Sequence, residues 1–138
     1  MRKIGFWLIL LTFLFQLGCS KDLENVDQGE IKVDKILYEG KFISSSRYST
    51  SGDIRVIVSG GKEKLQFINF KTDGGPDLRI YVSNDTRASD FVEISKDVKN
   101  GNYVVDLPSG QDFSKRPQVL IWCKLFSALF GSAELKKV

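Results

Sequence analysis

The sequence predicts an all-β domain, an antiparallel β-sandwich or jelly-roll-like fold of about eight short strands, placed behind a signal peptide and a flexible tether. Three observations predict it. Runs of four to eight β-branched and aromatic residues recur, each bounded by turn formers. Apolar side chains alternate with period two inside these runs, as in Ile54-Arg55-Val56-Ile57-Val58. In the globular part, no stretch of ten or more residues carries a helical period.

In chain order, residues 1–18 read as a lipoprotein signal peptide. Arg2 and Lys3 precede a mostly apolar run from Ile4 to Leu17 of 14 residues, shorter than the roughly 17–25 that a spanning helix needs. Ordinary cleavage wants small residues at the third and first positions before the cut, and Gln16 is not small. Leu17-Gly18-Cys19-Ser20 instead resembles a lipobox, whose cysteine is acylated and becomes the new N-terminus. Gln16 departs from the leucine that motif prefers, as relaxed forms of Bacteroidetes-type lipoproteins do. Cys19 is therefore the expected lipidation site. Two or three acyl chains, palmitate among them, hold a protein stably because each buried methylene contributes ~0.8 kcal/mol. The expected location is the bacterial outer membrane, with the domain on the periplasmic or cell-surface side.

Residues 19–34 form the lipidated cysteine and tether, polar and acid-rich with no strand or helix period. From Ser20 to Asp34 the stretched reach is about 50 Å. Asp22 and Glu24 resemble the surface-export signal of Bacteroidetes lipoproteins.

Residues 35–138 are the β domain. Strands are expected near Ile36–Ile43, Asp53–Val58, Lys64–Phe70, Leu78–Ser83, Val92–Ser95, Tyr103–Leu107, Gln118–Lys124 and Ser132–Leu135. Gly60-Gly61 supplies positive φ for a tight hairpin, and Asn100-Gly101 suits the same role. Gly74-Gly75-Pro76 breaks the chain before Leu78. The run from Val119 to Cys123 is apolar on both faces, as a central strand is. Alternation sends Val119, Ile121 and Cys123 to one face and Leu120, Trp122 and Lys124 to the other. Phe126, Phe130 and Ala133 are expected to close one end of the core.

Composition narrows the function classes. The chain has 20 basic and 17 acidic residues. Without Arg2 and Lys3, which belong to the leader, the net charge is +1. A nearly neutral surface without a basic cluster gives no case for nucleic acid. There is no histidine, so the usual proton shuttle and the commonest metal ligand are missing. No Ser-His or Cys-His pair exists. Ser59-Gly60-Gly61-Lys62 matches Ser-x-x-Lys only by chance, in a hairpin turn without its partner motifs. The reading is a non-enzymatic monomer that by itself calls for no cofactor and no metal.

Four segments in order carry a family resemblance: Thr50-Ser51-Gly52, Phe70 to Ser83 with Gly75-Pro76-Asp77-Leu78 at its centre, Ile121-Trp122-Cys123-Lys124-Leu125-Phe126, and Phe130 to Leu135. Over Glu39 to Lys136 the chain resembles the DM-thirteen domain family. The resemblance implies the company of haem-binding DOMON domains and membrane b-type cytochromes, as in animals, and a redox role through the cysteine that here is Cys123. Family members often carry a histidine shortly before Thr-Ser-Gly, where this chain has Tyr48. A metal or haem role resting on that histidine does not carry over.

Two candidate sites follow. Cys123, with Trp122 beside it, is the sole thiol once Cys19 is acylated, so redox chemistry there requires an envelope redox partner. Against it, an apolar strand withholds a thiol from solvent and disfavours the reactive thiolate. The alternative is a non-catalytic module that binds a ligand or a surface protein through loop ends, with Asp73, Asp77, Tyr48 and Tyr81 gathered there. Asp73 and Asp77 equally suit ordinary turn bonding to backbone N–H groups.

Overall fold

A computed structural model describes residues 31–138, and the expectations for residues 1–18, for Cys19 and for most of the tether lie outside the described residues. Residues 31–138 form a compact unit that contains every side chain of the core cluster, which is what independent folding requires.

All described elements are strands: β1 Lys35–Ser44, β2 Thr50–Ser59, β3 Lys62–Thr72, β4 Leu78–Ser83, β5 Phe91–Ser95, β6 Gly101–Asp106, β7 Gln118–Cys123, β8 Ala128–Glu134 and β9 Lys136–Lys137. They pair in the order β5-β4-β7-β8-β1-β2-β3-β6, every neighbour antiparallel, with β9 beside β1. The all-β antiparallel expectation therefore holds, as one curled sheet.

β1 makes the curl. Lys35 to Lys41 pair with β2, and Phe42 to Ser44 pair with β8. The crossing brings backbones close. A Cβ at Gly40 would strike the Glu134 carbonyl, and one at Gly131 would strike the Thr50 side chain. Thr50 is 3% exposed, and its hydroxyl donates to the Phe130 carbonyl at 3.0 Å. Thr50 Oγ1 and Thr72 Oγ1 also lie 3.0 Å apart. At the end of the β1–β2 ladder the Ser44 hydroxyl takes over, accepting from Thr50 N–H and donating to the Thr50 carbonyl.

The curl encloses a core of Ile54, Val56, Leu65, Phe67 and Phe70 from β2 and β3, facing Ile80, Val82, Val119, Ile121 and Phe130 from β4, β7 and β8. Each is 0% exposed. Phe67 stacks on Tyr103 at 4.5 Å and on Phe42 at 5.8 Å, and meets Phe70 edge-on at 5.1 Å, geometries favoured by ring quadrupoles. β7 is central, between β4 and β8. Leu120 is 0% exposed although it points away from Val119 and Ile121; on that other face Tyr81 stacks with Phe91 and Trp122.

Gly60 and Gly61, with φ of 59° and 75°, make the tight β2–β3 turn as expected. Asn100-Gly101 does not make a hairpin. It joins β5 to β6, which lie at opposite ends of the strand order, and the Asn100 side-chain oxygen accepts from Thr72 N–H at 2.9 Å. Phe126 does not close the core either. Leu125 and Phe126 are 67% and 56% exposed, because the chain leaves the sheet after Cys123 and returns at Ala128 through Ser127 in a left-handed conformation, φ 48°. Phe130 and Ala133 are buried in the core cluster.

Candidate functional site

Strand register gathers four loops at one end of the domain. β1 ends at Ser44 beside Gly131, β3 ends at Thr72 beside Thr50, and β4 begins at Leu78 beside Cys123. Residues 45–49, 73–77, 96–100 and 124–127 therefore form the pole opposite Lys35. Cys123, Tyr48, Asp73 and Asp77 lie at or beside this pole, whereas Tyr81 does not gather at the loop ends: it sits in mid-β4, paired with Leu120 and buried.

Cys123 closes β7, paired with Leu78 on one side and Ala128 on the other. Its side chain joins the core cluster and is 0% exposed. The strand then ends on a backbone bond from Lys124 N–H to the Asp77 carbonyl at 2.9 Å. Trp122 points to the outer face, paired with Arg79 and Leu129 and 6.3 Å from the Tyr81 ring. The two candidate redox residues are thus sequence neighbours on opposite faces of the sheet. Among the described residues Cys123 is the sole cysteine, and no three or more His, Cys, Asp or Glu side chains are grouped to hold a metal ion.

The four loop candidates fall into two groups. Tyr48 stacks flat on Phe130, 3.7 Å between centroids, at the rim of the core. Next to it Asp73 accepts from Ser49 N–H at 2.8 Å, while Asp73 N–H donates to the Ser49 carbonyl at 3.0 Å. This double bond pair ties the 45–49 loop to the 73–77 loop. Asp77 accepts from Arg79 Nε at 2.6 Å, and Arg79 Nη1 donates to Glu93 at 2.7 Å. Lys124 Nζ lies 3.6 Å from the same Glu93 carboxylate. The hydrogen bond from Arg79 holds the Asp77 carboxyl below its usual range, and the same bond raises the Arg79 guanidinium. Tyr81, 2% exposed, has its phenol pushed upward first by burial and then by the Glu93 charge.

Asp73 and Asp77 therefore both work as loop fasteners. The Arg79–Glu93–Lys124 network escaped sequence reasoning: Glu93 reaches Arg79 only because β5 pairs with β4, and no local spacing signals that. A broad concavity lies elsewhere, lined among others by Glu39, Lys41, Arg55, Thr86, Glu134 and Lys136, and includes none of the predicted site residues.

A family model described as Electron transfer DM13 matches residues 41–135. No curated protein and no solved structure matches the chain.

Proposed function

Because the chain belongs to the electron transfer DM13 family, we propose that it is an accessory redox lipoprotein of the bacterial envelope, anchored through Cys19, in which Cys123 works with a partner that supplies the redox centre. The family match, which spans Trp122 and Cys123, carries this reading. The partner is required by the chemistry. One thiol forms no intrachain disulfide, and Cys123 is the sole cysteine of the described residues. In a thiol exchange, Cys123 gives its proton to solvent and attacks a partner disulfide. An intermolecular S–S bond forms, and the partner's second sulfur leaves as thiolate. Burial of Cys123 makes this step conditional on opening of the β7–β8 end, where Leu78 and Ala128 are its register partners on the adjoining strands.

The same burial favours a second reading, a module that binds a ligand or protein at the cell surface without chemistry of its own, in which Cys123 is a small core residue. The visible spectrum of protein purified from its own envelope, with whatever co-purifies, separates the two. A chromophore that changes between oxidised and reduced samples supports the redox reading. A colourless monomer that also forms no mixed disulfide through Cys123 with any envelope protein sinks it in favour of the binding module.

A further inference from the structure

The pole formed by residues 45–49, 73–77, 96–100 and 124–127 carries a feature that the redox reading does not use. At its tip the β7–β8 turn displays Leu125 and Phe126 side by side, both more than half exposed. Besides Lys99 and Lys124, which pair with Asp97 and Glu93, three cations stand on the same pole. Arg47 is in the β1–β2 loop, Lys71 is the last residue but one of β3, and Lys96 opens the β5–β6 connection, which Asn100 ties to Thr72. Among the described residues, no carboxylate pairs with any of the three. Every carboxylate of these loops is already engaged: Asp73 by Ser49 N–H, Asp77 by Arg79, and Asp97 by Lys99.

We propose that this pole docks on an anionic phospholipid surface, with Leu125 and Phe126 entering the boundary between headgroups and acyl chains and Arg47, Lys71 and Lys96 lying over the headgroups. Apolar side chains flanked by unpaired cations combine the two attractions by which interfacial segments bind anionic membranes. A lipid surface fits better than a folded protein partner. The two side chains project from a turn, and a fluid interface admits them without the matching cavity a rigid partner would need. Reach is no obstacle for a tethered domain. Residues 20–34 extend to about 50 Å, whereas the ten residues of β1 span ~33 Å, so the far pole can turn to the same membrane.

The test uses residues 31–138, without any anchor, in sedimentation with vesicles of equimolar phosphatidylcholine and phosphatidylglycerol or of phosphatidylcholine alone. The domain should bind the anionic vesicles at least about tenfold more tightly, and the preference should shrink as salt screens the charges. Trp122, the sole tryptophan after Trp7, should be quenched by brominated acyl chains on binding. The double variant Leu125→Ser with Phe126→Ser should lose at least about tenfold in affinity, as should Arg47→Glu with Lys96→Glu, each at an unchanged melting temperature. Absence of vesicle binding by the folded domain overturns the proposal. So does equal binding to the two vesicle types, or unaltered binding by either folded variant.

Discussion

Replacing Cys123 by serine and by alanine tests how the thiol is housed. Its side chain is 0% exposed and packs in the cluster that holds Ile80, Ile121 and Phe130. Serine nearly keeps the shape but puts a hydroxyl where apolar side chains dominate. Desolvating a hydroxyl without a partner costs about 1–3 kcal/mol, and the lost burial of the more apolar sulfur adds roughly 1 kcal/mol. Alanine leaves a void of about one heavy atom and no polar group, a loss of roughly 1–2 kcal/mol. The expected order of stability is therefore wild type, then Cys123→Ala, then Cys123→Ser. At about 4 °C per kcal/mol for a unit of this size, alanine lowers Tm by roughly 4–8 °C and serine by roughly 8–16 °C. Urea titration of residues 31–138, followed by far-UV circular dichroism, gives the free energies with an m-value check on two-state behaviour. Serine matching wild type, or exceeding alanine, would mean that the site offers a polar partner to position 123 and that the sheltered-thiol account is wrong.

Other perturbations reach the same pole and the core beneath it. Thr50→Val keeps the side-chain shape but removes the donor to the Phe130 carbonyl. A loss of about 1–3 kcal/mol in urea unfolding is expected, and an unchanged midpoint would show that this bond does not hold β2 to β8. The Asp77 carboxyl is held low chiefly by Arg79, so its contribution to stability is present above the ordinary carboxylate value of 3.8 and is lost as pH falls through its lower folded value. In Arg79→Met the acid-induced loss of stability should shrink in that window, whereas parallel curves for variant and wild type would contradict the coupling. Burial pushes the Tyr103 phenol up to about 12. Its contribution is present below 10, the ordinary value, and disappears as pH rises toward 12. Tyr103→Phe should flatten this alkaline limb, and an unaltered limb would assign it to other groups.

Much of the sheet was legible because local chemistry and global fold agree. Leu78–Ser83 begins and ends where expected, bounded by Gly75-Pro76 before it and by Asn84-Asp85 after it. Gly60-Gly61 turns as the two-glycine pattern requires. The inward direction of Cys123 and the outward direction of Trp122 followed from alternation alone. What escaped is tertiary. The passage of β1 from β2 to β8 rests on close approaches at Gly40 and Gly131, which no local pattern marks. The two residues of β9 carry no apolar signal, yet they pair with Tyr38 and Glu39. Phe126 reads as core because it is apolar and follows a core strand, but the left-handed turn at Ser127 carries it, with Leu125, out of the sheet. Asp73 and Asp77 turned out to be engaged by Ser49 N–H and by Arg79, partners 24 and 2 residues away in the chain, and only the shorter of these links was within reach of sequence.

The central claim is that Cys123 is a redox thiol kept covered until the β7–β8 end opens. The most direct test is the rate at which Cys123 of residues 31–138 reacts with an aromatic disulfide reagent, native and then unfolded in urea. The account predicts one equivalent of thiol in both states, with the native reaction slower by about a thousandfold, corresponding to a local opening of about 4 kcal/mol. A native thiol that reacts as fast as the unfolded chain would contradict the burial. One that stays silent until global unfolding would remove Cys123 from the redox role and leave the binding module.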